Sequence, residues 1–301
     1  MNRLLIPLAL AVLSCGTAQQ NLDVVDARAP IPEADPTFID FVGTEFEVQP
    51  GKEVMMCLHL QYDGPETAFS YMETAQGKFG HHAVLLTALE PKEPGTIEDC
   101  TDVKDMNKYD AFTIGDLQLP TGYGAYLPAN KKMVLQSHYV NTGKKPILVR
   151  DILRMKKMAI ADVQKWAAVI TTNLMTVSIP PRSAGVTQSF DCTVNKDVEL
   201  LAFGGHMHEY GTKISIDVGP SVNALSREYT VDQWTADYRD NPPINLYTTA
   251  PKQVPAGSVV RVSCTWDNTT DQPMGFPTEM CASFGFVGGT KDPVVCRFNG
   301  I

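Results

Sequence analysis

A chain of 301 residues is longer than one typical domain and suits two, each of about 130 to 150 residues and able to bury its own core. Its formal charge of −9, with no lysine or arginine cluster beyond short pairs, argues against a nucleic-acid partner. Nor does any apolar run reach the roughly 18 to 20 residues that a membrane-spanning helix needs.

The N-terminus has the pattern of an export signal: Arg3, an apolar stretch from Leu4 to Leu13, and the small-residue junction Ser14-Cys15-Gly16. With a cysteine at that junction, residues 1–15 resemble a bacterial lipoprotein signal, in which Cys15 is lipidated and anchors the exported protein to a membrane, periplasmic or cell-surface. A plain signal peptide and a secreted product is the alternative. Residues 16–36 are polar and proline-spotted, which predicts a flexible tether.

Beyond the tether the chain reads as β. Short apolar runs recur between Gly, Pro, Asn and Asp: Val54–Leu60, Ala83–Leu86, Met133–Val140, Val198–Phe203 and Ser258–Trp266. The one helical stretch predicted is short, near Asp162–Trp166. Many short strands imply antiparallel sandwiches or jelly rolls, with an N-terminal domain over 37–160 and a C-terminal domain over 166–301. Without Cys15, six cysteines remain, an even number in an exported chain, and disulfides are their expected state. Two lie in the first half and four in the second, which suggests one bridge and two. No Cys-x-x-Cys pair points to structural zinc.

Five of the six histidines fall in three local clusters. Gly80-His81-His82 opens a strand, and consecutive strand residues face opposite ways. Both rings reach one metal only where the backbone is irregular, and Gly80 permits a bulge there. His138 shares a strand face with Gln136, and that polar pair wants partners. His206 and His208 stand at i and i+2 in a segment that alternates like a strand, so that both imidazoles face one side. Met280, beside Cys281, is either a core methionine or the thioether of a set with His206 and His208, a soft combination suited to copper. His59, two residues after Cys57, reads as structural.

Taken in order, His81-His82, Leu135-Gln136-Ser137-His138-Tyr139, His206-Met207-His208 with Gly211, and Glu279-Met280-Cys281 resemble the copper type II, ascorbate-dependent monooxygenases, the family of peptidylglycine α-hydroxylating and dopamine β-monooxygenases. The resemblance runs from about Pro36 to Ile301. It implies two jelly-roll-like sandwiches facing across a cleft with two coppers per chain. One, which supplies electrons, is held by His81, His82 and His138; the other, which activates O2, by His206, His208 and Met280. It also implies the pairings Cys57–Cys100, Cys192–Cys296 and Cys264–Cys281. The implied activity is hydroxylation of a C–H bond in a small or peptidic substrate, with an electron donor such as ascorbate.

The recognition residues depart from the family. Gly204 stands where the peptide-hydroxylating relatives carry a carboxylate-gripping arginine, Ala282 replaces a polar residue, and Phe284 a substrate-contacting tyrosine. A peptide ending in glycine is therefore a poor substrate expectation. A second class stays open, copper storage, delivery or sensing without turnover. Zinc-assisted hydrolysis is weaker, because thioether suits zinc poorly and Glu209 would point away from the histidines on a regular strand.

Overall fold

The computed structural model describes residues 23–100, 108–113, 116–174, 176–239, 241–247, 249–276 and 278–298. The first half supplies β1 (Val25–Asp26), β2 (Phe38–Val42), β3 (Phe46–Val48), β4 (Glu53–Tyr62), β5 (Thr67–Ala75), β6 (Gly80–Ala88) and β7 (Ile97–Asp99). It continues with β8 (Tyr109–Ala111), β9 (Leu117–Gln118), β10 (Tyr123–Leu127), β11 (Lys131–Val140), β12 (Ile147–Val149) and β13 (Ile152–Met158). The second half runs through β14 (Lys165–Leu174), β15 (Ser183–Thr193), β16 (Val198–His206), β17 (Gly211–Gly219) and β18 (Ser226–Val231). It ends with β19 (Ile244–Leu246), β20 (Lys252–Val254), β21 (Val259–Asn268), β22 (Cys281–Gly288) and β23 (Val294–Phe298).

The chain is all β, and it is built as packed sheets, mostly antiparallel. In the first half the five-stranded sheet β7-β4-β11-β6-β8 packs on β5 and β13 through Leu58, Leu85 and Leu135 on one side and Phe69, Met72 and Leu153 on the other. In the second half β15-β21-β17-β18 packs on β14, β16 and β22, around Trp266, Ile214, Phe203 and Val287. The two sandwiches share a sheet. β10 pairs in parallel with β14, Tyr123 opposite Lys165 and Ala125 opposite Ala167, so an eleven-stranded sheet runs from β19 to β2. The first core accordingly includes Val169, Leu201 and Phe286 from second-half strands.

Two expectations need correction. No helix covers 162–166: a 3-10 turn occupies Ile160–Asp162, and Lys165 and Trp166 open β14, whose Ala167–Thr172 run is buried on both faces. Such a run, rich in β-branched residues, belongs to a central strand. Residues 25–29 are also packed against the fold and do not belong to a flexible tether. β1 pairs in parallel with β12, the amides of Ala27 and Ala29 donate to Leu148 and Arg150, and both alanines are buried. Gly77 makes the room, since a Cβ there would sit 1.6 Å from the Ala27 carbonyl oxygen. The leader and Cys15 lie outside the described residues.

The bridges Cys57–Cys100 and Cys264–Cys281 are formed, and Cys192 is disulfide-bonded; the Cys296 side chain lies outside the description. Disulfides belong to chains that fold in an oxidising compartment. Among the described residues no helix is long and apolar enough to cross a membrane.

Candidate metal centres

The first centre is built on an irregular pair of strands. Along β6 and β11 the register runs without a break to His82 opposite His138, and then Gly80 stands opposite Tyr139. His81 is the extra residue, a β-bulge at the position the Gly-His-His sequence suggested. Phe79, at φ 71, turns the chain into it. The bulge lets consecutive histidines approach one partner: the His81 and His82 rings lie 4.9 and 4.8 Å from the His138 ring, centroid to centroid. One ligand atom from each falls within 4.8 Å of the others.

The hydrogen bonds of His138 settle its tautomer. Its Nε2 is 2.8 Å from Glu53 Oε1, and a carboxylate accepts, so Nε2 carries the proton. Nδ1 then offers a lone pair toward His82 Nδ1, 3.4 Å away. A ligating imidazole whose far nitrogen donates to a carboxylate is the usual outer-shell arrangement of a metal-bound histidine. Burial, then the adjoining His82, hold the His138 pKa down to about 4, so its ring is neutral at physiological pH and ready to ligate.

The second centre departs from the expected strand. His206 closes β16, whereas His208 lies beyond it in the turn to β17, where the Gly211 amide donates to the His208 carbonyl. The rings nonetheless stand 5.1 Å apart, centroid to centroid. His208 Nδ1 is 3.1 Å from the Thr278 carbonyl oxygen, so that nitrogen carries the proton and Nε2 is the lone-pair nitrogen. His206 pairs with Ala282 in the last rung of the β16–β22 ladder, and half-buried Met280 lies two residues before Ala282, just outside that ladder.

Glu279 holds this turn, and sequence reasoning assigned it no role. It is fully buried and accepts from the His208 amide at 3.1 Å, the Tyr210 amide at 2.6 Å and Trp266 Nε1 at 2.9 Å. One carboxylate thus ties the histidine turn to the residue before Met280. Burial pushes its pKa up to about 7 against the pull of those donors. The Cys264–Cys281 bridge fixes the backbone on the other side of Met280.

Both sets suit a soft or borderline metal: three imidazoles in one and two imidazoles in the other, to which Met280 would add a thioether. His59 is engaged otherwise. Its Nδ1 accepts from the Lys92 amide and its Nε2 donates to Glu98, as a structural histidine would.

No protein-family model matches this chain, and no curated protein matches it. Among solved structures it is similar to the VP2 subviral particle of infectious bursal disease virus, at 12% identity over 88% of this chain and 75% of that chain, with a TM-score of 0.23. It is also similar to PNGase F, a glycosylasparaginase from Flavobacterium meningosepticum, at 10% identity over 90% of this chain and 94% of that one, with a TM-score of 0.29. Likeness at this level carries no argument about activity.

Proposed function

We propose that the chain is a two-copper monooxygenase of the copper type II, ascorbate-dependent kind, exported and anchored through a lipid on Cys15. The observation that carries the proposal is the pairing of two different donor sets in one chain. His81, His82 and His138 converge at a bulge, and His206 and His208 stand together at the end of the β16–β22 ladder, with Met280 two residues before Ala282, the partner of His206. Bound copper would supply one-electron redox chemistry and activation of O2. The protein's part is to keep His138 neutral with its proton on Nε2, to present Nε2 of His208, and to receive the substrate.

The sheet face that carries His206 supports a reading of that substrate. Directly paired residues share a sheet face. His206, Gly204 and Ala202 of β16 thus share one with Ala282, Phe284 and Phe286 of β22, and with Ile244 and Leu246 of β19. A cavity of about 90 Å³ lies along this strip, lined by Phe284, Phe286, Ile244 and Leu246 and bordered from the first half by Leu119, Pro120, Gln118 and the carboxylate of Asp116. A Cβ on Gly204 would already meet the Pro243 carbonyl at 3.2 Å and Phe284 at 3.3 Å, so no clamp for a carboxylate grows from this position. The substrate class that fits is small and apolar or aromatic, without an anionic group.

Oxygen uptake by the copper-loaded protein with ascorbate tests this. Apolar and aromatic compounds should stimulate uptake, and peptides ending in glycine should not. Two bound coppers with no stimulation by any compound would instead assign the protein to copper storage or delivery.

A further inference from the structure

The two histidine sets are joined by one side chain. Arg239 ends a short 3-10 turn, Ala236–Arg239, between β18 and β19. Its guanidinium reaches across the two halves: NH2 donates to Glu53 Oε1 at 2.9 Å, the same oxygen that receives Nε2 of His138. NH1 donates to Glu209, the residue after His208. The segment before it is fastened to the same turn, because Trp234 Nε1 donates to the His208 carbonyl at 3.0 Å and the Trp234 ring packs edge-on against Tyr238.

Resting on the two-site proposal, we infer that Arg239 is a positioning residue that clamps the two metal centres in one fixed arrangement, through Glu53 to His138 and through Glu209 to the His208 turn. The physical case lies in the fork. Arginine offers separate, rigidly spaced nitrogens to two carboxylates, and a lysine point charge cannot hold both with the same geometry. The guanidinium is 16% exposed, while Glu53 and Glu209 are about half exposed, so the cation is the more sheltered partner of the bridge. Elsewhere the halves are held by the β10–β14 ladder and by Tyr123, whose hydroxyl donates to Glu199. Arg239 fastens them at the histidine end.

Two measurements test the clamp. In metal-free protein carrying nitroxide labels at Glu47→Cys and Val222→Cys, both exposed, one in each half, dipolar distance spectra should be narrow in the parent and broaden roughly twofold in width in Arg239→Gln, with Arg239→Lys intermediate. In copper-loaded protein, the Cu(II) resonance of the three-histidine centre should change alike in Arg239→Gln and Glu53→Gln, because both alter the partner of His138. An unchanged label distribution in a folded Arg239→Gln protein overturns the clamp. Broadening in Arg239→Gln, with a narrow parent that binds no copper, would leave the clamp standing and remove the proposed function instead.

Discussion

At Met280 a structural and a chemical role can be separated. Glu279 anchors the backbone on one side and the Cys264–Cys281 bridge on the other, so replacing Met280 changes the side chain at a fixed position. Met280→Ile keeps apolar volume, and such swaps cost under about 1.5 kcal/mol. We predict that urea unfolding of this variant stays near the parent, while it binds one copper fewer and the reduced protein loses its Cu–S scattering in X-ray absorption. Parent protein with no Cu–S scattering would return Met280 to the core. Glu279, Glu53 and Arg239 gave no such signal in the sequence. Each looks like an ordinary surface charge, and its role comes from partners 71, 85 and 186 positions away in the chain, which no periodicity encodes.

Among the elements, legibility followed how local the cause was. The long strands were readable because apolar residues recur between turn residues, and the bulge because Gly-His-His cannot place both rings on one face of a regular strand. The His-x-His segment was misread as one strand, since alternation continues through it while Glu279 pulls residues 208–210 out of the ladder. Edge strand β7 shows a similar long-range fastening. Its Glu98 accepts from His59 Nε2 at 2.7 Å, from Tyr109 at 2.9 Å and from Lys92. Burial opposes its ionisation, but these donors outweigh it and hold its pKa down to about 2, from the usual 4.5. Between those values the unfolded chain binds the extra proton. The contribution is therefore complete above about pH 4.5 and lost as pH falls through about 2, and it amounts to roughly 2 to 3 kcal/mol. Glu98→Gln should lower the urea midpoint at pH 7 and leave it nearly unchanged at pH 2. Equal losses at both would show that packing, and not charge, is what Glu98 supplies.

At the scale of the molecule, the parallel pairing of Tyr123–Ala125 with Lys165–Ala167 decides whether the chain behaves as one body or two. It involves three residues on each strand, too few for a pattern, and the family resemblance implied two sandwiches facing across a cleft. The joined sheet carries Val169, Leu201 and Phe286 into the first core, so neither half can unfold without exposing side chains that the other covers. We predict a single calorimetric transition for the metal-free protein. Copper that binds only the folded chain stabilises by about 2.7 kcal/mol per site at a hundredfold excess over Kd. For one cooperative unit of this size each site should then raise the midpoint by roughly 4 to 5 °C. Because the unit is shared, filling either centre should shift the whole transition: His138→Ala should retain the increment from the His206 centre, and Met280→Ile the one from the three-histidine centre. Two resolved transitions, each moved by its own copper, would mean that the halves unfold independently and that the shared sheet does not couple them.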